Sequence, residues 1–170
     1  MDRTDTGLGP SGPPDFLECG CLTFPEARKE AMARILVVED NAMNMKHVVM
    51  LLRNAGHTTL SAADAETGLI LARTARPDLI LMDIVLPGMD GLAATALLKA
   101  DPVTAAIPII ILTASLTKDD EEKARAAGCD TYIVKPFLRQ ELDLTIADLL
   151  RASIDALLLK GGPLAVGAEP

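Results

Sequence analysis

Pro77-Asp78-Leu79-Ile80-Leu81-Met82-Asp83-Ile84-Val85-Leu86-Pro87-Gly88-Met89-Asp90-Gly91 decides how the rest of the chain is read. Leu79 to Met82 is a short apolar run bounded by turn signals, the pattern of a strand buried on both faces. The run ends abruptly on Asp83. Two turn dipeptides follow, Pro87-Gly88 and Asp90-Gly91. A carboxylate therefore stands at the end of a buried strand, at the mouth of a loop.

The same pattern recurs on both sides. Upstream, Ile35-Leu36-Val37-Val38 is a second buried strand and ends on Glu39-Asp40. Asn41 is placed to cap a helix carrying Met45, Val48, Val49 and Leu52 on one face, with Gly56 as its stop. Thr58 to Ala62 reads as a strand, and Asp64 caps a second helix running to about Ala75. Downstream, Asp90 caps a third helix that ends near Asp101-Pro102. Ile107 to Leu112 is an apolar strand ending on Thr113. Thr117 opens a fourth helix, with Asp120 set for a capping box and Gly128 as its end. Thr131 to Val134 is the fifth strand, followed by Lys135-Pro136 and a long helix from about Leu138 to Leu159.

Five strand–helix repeats predict parallel strands joined by right-handed crossovers. The expected fold is α/β, a flavodoxin-like doubly wound five-stranded sheet of order 2-1-3-4-5 with helices on both faces. Sites in such sheets lie at the carboxyl ends of the strands. Residues 1–32, punctuated by Gly7, Gly9, Pro10, Gly12, Pro13 and Pro14, read as a disordered extension. Residues 33–152 form the domain, and residues 153–170 extend the last helix into a frayed tail. A chain starting at Met32 is expected to melt within about 2 °C of the full chain. It should also accept phosphate equally well, and a loss of several degrees would show that the extension docks.

Composition excludes several classes. Apolar residues make up 49% of 170, enough for a sizeable core, while aromatics are only 2%, so that core is aliphatic. A net charge of −8 argues against nucleic-acid binding, which needs clustered Lys and Arg. No apolar run reaches the length of a membrane span, and the N-terminus lacks the basic start and apolar stretch of a secretory signal, so a cytoplasmic protein is expected. Cys19, Cys21 and Cys129 are too few for a disulfide framework and read as plain thiols. His47 and His57 stand apart from the strand ends and read as surface residues.

The residues ending the buried strands are Glu39 and Asp40, then Asp83, Thr113 and Lys135. The fold gathers them at one edge. Close carboxylate pairs repel by about 4 kcal/mol at ~4 Å with an effective dielectric near 20. A hard divalent cation such as Mg²⁺ offsets that repulsion and accepts oxygen ligands. Lys135 adds an ammonium and Thr113 a hydroxyl, a set that matches a phosphoryl group with charge on three oxygens. A carboxylate beside it can act as nucleophile. The implied chemistry is phosphoryl transfer onto Asp83.

With these residues in place, the chain resembles the receiver domain of two-component response regulators over roughly Ala33 to Leu150. The matching stretches are Ile35 to Asn41, Leu81 to Gly91, Ile111 to Ala114 and Tyr132 to Phe137. A finer likeness, to small stand-alone receivers of the DivK type, rests on Asn41 to Gly56 and Thr117 to Gly128. The resemblance implies that Asp83 is the phosphoacceptor and that Glu39 and Asp40 hold Mg²⁺ with Asp83 and the backbone carbonyl of Val85. It makes Thr113 the switch hydroxyl, Lys135 the phosphate-binding cation and Tyr132 the aromatic that swings inward. It also makes the bond before Pro136 cis. The partners it implies are a histidine kinase or histidine phosphotransfer protein, and a downstream protein that reads the surface of the fourth helix, fifth strand and fifth helix. No DNA-binding output domain is expected, and the chain is a monomer or a phosphorylation-dependent homodimer. A relay intermediate, handing phosphate to a second histidine protein, is the alternative.

Two other classes fit less well. An aspartate-nucleophile phosphatase of the haloacid-dehalogenase kind wants a second Asp where this chain has Val85. A flavodoxin-like cofactor binder wants a glycine- and hydroxyl-rich phosphate loop where it has Glu39-Asp40.

Overall fold

The computed structural model describes residues 32–115 and 117–160. Five parallel strands form one sheet: β1 (Arg34–Val38), β2 (Thr58–Ala62), β3 (Leu79–Asp83), β4 (Ile109–Thr113) and β5 (Thr131–Val134). Their spatial order is β2-β1-β3-β4-β5. Between them run α1 (Ala42–Asn54), α2 (Ala65–Ala75), α3 (Gly91–Ala100) and α4 (Lys118–Ala126), and α5 (Arg139–Lys160) closes the fold. The predicted architecture and strand order are those observed. Sequence order reverses between β1 and β3, so the crevice at the carboxyl ends opens beside Val38 and Asp83.

The apolar runs are continuous because each strand feeds two cores, with alternate residues on opposite faces. Ile35, Val37, Leu79, Leu81, Ile110, Leu112 and Ile133 pack against α1 and α5 through Val48, Leu52, Leu142 and Ile146. Leu36, Val38, Ile80, Met82, Ile109 and Ile111 pack against α2 and α3 through Ala65, Ala72, Ala94 and Leu98. The alanines on the second face let those helices lie close to the sheet.

The local signals act as expected at most helix ends. Asn41, Asp64, Asp90 and Thr117 each accept from backbone N–H groups at the start of a helix, and Thr117 and Asp120 complete a capping box. The Lys135–Pro136 bond is cis. Helix α5 runs unbroken to Lys160 and leaves Ile154, Leu157, Leu158 and Leu159 exposed.

Two expectations need correction. The fourth strand begins at Ile109, not Ile107. Pro108 has no N–H to give a ladder, and Ile107 N–H instead closes a turn onto Thr104 O at 2.9 Å. His57 is buried rather than on the surface. Gly56, with φ +91°, ends α1 in a Schellman motif: Gly56 N–H donates to Arg53 O and His57 N–H to Leu52 O. The residue after the left-handed one tucks back against the helix. His57 Nδ1 there accepts from Ala33 N–H at 3.4 Å. His47 is exposed, as expected. Cys129 is partly buried, and that burial raises its thiol pKa. Cys19, Cys21 and the extension over residues 1–31 lie outside the described residues.

Candidate functional site

The carboxyl edge of β1, β3, β4 and β5 carries all five strand-ending polar residues. Glu39 follows β1 directly; its N–H donates to Ala62 O at 3.1 Å, which continues the ladder to β2. Asp83 is the last residue of β3 and is buried together with Glu39, whereas Asp40 is exposed. Carboxylate oxygens of Glu39, Asp40 and Asp83 all lie within 4.8 Å of one another.

Lys135 ties the two buried acids together. Its Nζ donates to Glu39 Oε2 at 2.6 Å and to Asp83 Oδ2 at 2.7 Å. The backbone delivers it there, since Lys135 N–H donates to Thr113 O at 2.7 Å at the end of the β4–β5 pairing. Burial pulls the Lys135 pKa down, but the bonds to Asp83 and Glu39 outweigh it and hold it above that of free lysine. The ammonium is therefore charged across the physiological range. Three carboxylates against one ammonium leave a surplus of negative charge, and every candidate ligand atom is a hard oxygen. That donor set fits Mg²⁺.

Thr113 is buried at the same edge, and its hydroxyl is engaged within its own loop. Oγ1 donates to Ser115 O at 2.5 Å and accepts from Ser115 N–H at 3.3 Å. Val85, two residues past Asp83, is 72% exposed, and its N–H donates to Asp83 Oδ1 at 3.3 Å. Its side chain thus stands in solvent beside the carboxylate. Tyr132 is half-buried on β5, packed against the α2–α3 core, and pairs in register with Ile111. The structure brings Glu39, Asp40, Asp83 and Lys135 into direct contact range. Thr113 joins this group through its backbone carbonyl, which accepts from Lys135 N–H, while its hydroxyl stays within its own loop.

Two contributors were missed in the sequence. Gly91 opens α3 so close to the end of β3 that a Cβ there would fall 1.9 Å from Asp83 O. Asn44 donates from its Nδ2 to Glu39 Oε1 at 3.3 Å. Gly91 reads in sequence only as half of a turn dipeptide. Asn44 stands three residues after a capping Asn, the spacing at which a returning side-chain bond is expected.

Comparison with known proteins places this geometry in a group. The family described as response regulator receiver domain matches residues 35–147. The polar-differentiation response regulator DivK of Brucella anthropi is 46% identical over 102 residues, covering 60% of this chain and 83% of that protein. Protein PilH of Pseudomonas aeruginosa is 40% identical over 119 residues, covering 70% of this chain and 98% of that protein. Among solved structures, the receiver domain of a sensor histidine kinase from Pseudomonas aeruginosa superposes with a TM-score of 0.67 at 36% identity, over 71% of this chain and 99% of that one. It carries a magnesium ion coordinated in its active-site cleft. Chemotaxis protein CheY4 of Vibrio cholerae gives 0.67 at 29% identity, over 70% and 99%.

Proposed function

The chain belongs to the response-regulator receiver-domain family, and on that premise we propose that Asp83 accepts a phosphoryl group from a phosphohistidine protein in a Mg²⁺-dependent reaction. The observation carrying this reading is the placement of Asp83: a buried carboxylate at a strand end, bonded to Lys135 and within 4.8 Å of two further acids. Receiver domains are phospho-accepting signalling proteins, and the acidic cluster is of the kind with which they bind Mg²⁺.

In the proposed reaction a carboxylate oxygen of Asp83 forms a bond to phosphorus as the donor's N–P bond breaks, and the electron pair leaves with the imidazole nitrogen. Glu39, Asp40, Asp83 and the Val85 carbonyl would hold Mg²⁺, which supplies charge neutralisation to the phosphoryl oxygens. Lys135 moves its ammonium from the Asp83 carboxylate to the transferred group, an exchange of one anionic partner for another. Thr113 Oγ–H exchanges Ser115 O for a phosphoryl oxygen, which draws the β4–α4 loop toward Asp83. Tyr132 turns inward on the edge strand beside it. The altered surface is that of α4, β5 and α5, where Val134, Leu138 and Leu144 are exposed and α4 opens on Asp119, Asp120 and Glu121. A downstream protein reads that surface.

Incubation with acetyl phosphate and Mg²⁺, followed by intact-mass measurement and peptide mapping, tests the reading. One phosphate is expected, on the peptide containing Asp83, and chelation of the metal should prevent it. Among the described residues no helix is long and apolar enough to cross a membrane, in keeping with a cytoplasmic role. We expect a monomer that dimerises, if at all, only when phosphorylated.

The phosphate should be comparatively long-lived. Hydrolysis needs a water in line with the acyl phosphate bond, and side chains at the pocket mouth place or exclude it. Val85 offers methyl groups and no hydrogen bond. Val85→Asn is expected to speed loss of phosphate about 3- to 10-fold, roughly 0.7–1.4 kcal/mol of barrier. Unchanged or slower decay would assign control to the metal and Lys135 instead.

A further inference from the structure

Glu39 is 1% exposed, and both of its oxygens are engaged. Oε2 accepts from Lys135 Nζ at 2.6 Å. Oε1 accepts from Asn41 N–H at 3.2 Å and from Asn44 Nδ2 at 3.3 Å. Lys135 donates in turn to Asp83 Oδ2 at 2.7 Å. A chain of polar contacts thus runs from Asn44, exposed on α1, through Glu39 and Lys135 to the carboxylate of Asp83. We propose that Asn44 is a positioning residue for the Lys135–Asp83 pair and acts through Glu39; the consequence for phosphorylation rests on the reading of Asp83 above.

The local geometry shows why the side chain is aimed there. Asn41 is the N-cap of α1, and its Oδ1 accepts from Met43 N–H and Asn44 N–H. In a capping box the side chain three residues on returns to the N–H of the cap. Here that N–H is already given to Glu39, and the Asn44 amide goes to the same oxygen. Two donors on Oε1 fix the plane of the carboxylate and turn Oε2 toward Lys135.

Removing the Asn44 donor leaves Oε1 with a single backbone partner in a buried carboxylate. The remaining negative charge then draws harder on the Lys135 ammonium, which Glu39 shares with Asp83. Lys135 becomes less available to Asp83 and to the group transferred onto it. A neutral amide suits the task, because a carboxylate at this position would add a fourth acid to three that already crowd one another. Asn44 also lines, with His47, Val48, Lys135, Pro136 and Phe137, a cleft of about 340 Å³. The contact therefore lies where the cleft meets the acid group.

The test uses Asn44→Leu, which removes the donor and keeps the approximate volume, with Asn44→Ala as a second variant on the same exposed helix turn. The first readout is hydrogen exchange of the Lys135 Nζ protons by NMR in protein without metal or phosphate. Slower exchange than in the wild type is expected, because Glu39 then holds the ammonium more tightly. The second is the rate of phosphorylation by acetyl phosphate across a Mg²⁺ titration. The saturating rate is expected to fall about 3- to 10-fold, the scale of one lost hydrogen bond, and the half-saturating Mg²⁺ is read alongside it because Glu39 is among the residues that would hold the ion. In a Glu39→Gln background the same substitution should have little further effect, because its route is gone. Unchanged exchange and rate, or an equal loss in the Glu39→Gln background, would overturn the proposal. Phosphate mapping to a residue other than Asp83 in the wild type would overturn the reading of Asp83 instead, and the exchange result would stand apart from it.

Discussion

Asp83→Asn is expected to take up no phosphate from acetyl phosphate under conditions that label the wild type, a loss of at least about 100-fold in rate. The amide keeps the shape of the side chain but is a far weaker nucleophile. The variant should still fold, because two effects on stability oppose each other. Each close carboxylate pair within 4.8 Å costs on the order of 3–4 kcal/mol at an effective dielectric near 20, before counter-charges are included. Neutralising Asp83 relieves part of that. It also weakens the bond from Lys135, a charge-assisted contact of about 1.5–3 kcal/mol. The melting temperature should therefore stay near that of the wild type, and loss of labelling will report lost chemistry rather than lost structure. A phosphate that persists in Asp83→Asn, or moves to Asp40 or Glu39 at the wild-type rate, would sink the assignment.

What could be read in advance follows from the scale of each signal. Buried strands declare themselves as runs such as Leu79 to Met82, and their alternation with capped helices implies a parallel sheet whose carboxyl ends share an edge. That one topological step is what joins Glu39, Asp83 and Lys135, which are up to 96 residues apart. Contacts decided by a single backbone approach were not legible. His57 looked like surface because its burial depends on the Schellman turn at Gly56, which folds it against its own helix. Asn44 looked like one more polar residue on α1, because its partner depends on where Glu39 points. The start of β4 was misjudged at Pro108, where apolar character continues but the ladder cannot. Gly91 was legible as a turn residue and illegible as a steric requirement.

Gly91→Ala is expected to be among the most damaging single substitutions outside the acidic group. An added Cβ would sit 1.9 Å from Asp83 O, 2.8 Å from Asp83 C and 3.1 Å from Ile84 Cα. All three are backbone atoms, so no side chain can rotate away. Either α3 retreats from the sheet or the end of β3 shifts. The first pulls Ala94 and Leu98 from the core, and the second moves Asp83, the proposed phosphoacceptor. Gly91 N–H also donates to Ile84 O at 2.9 Å, a bond that a shift on either side would stretch. Replacing Gly by Ala within a helix ordinarily gains about 1 kcal/mol, and severe overpacking costs about 3 kcal/mol or more. A net loss of at least about 2 kcal/mol should lower the melting temperature by roughly 5–10 °C for a domain of this size. Gly68→Ala serves as the control, since the nearest atoms its Cβ would meet belong to the Val38 side chain, its methyls at 2.9 and 3.3 Å. There a side chain rather than a backbone must give, and the helix-propensity gain offsets much of the cost. The melting temperature of Gly68→Ala should fall by less than half as much. The two variants should also differ in phosphorylation rate, with Gly91→Ala slowed even well below its melting point, because the clash falls on the residue proposed to accept the phosphate. Equal stability and equal rates in the two variants would show that the close approach of α3 to Asp83 does not constrain the site.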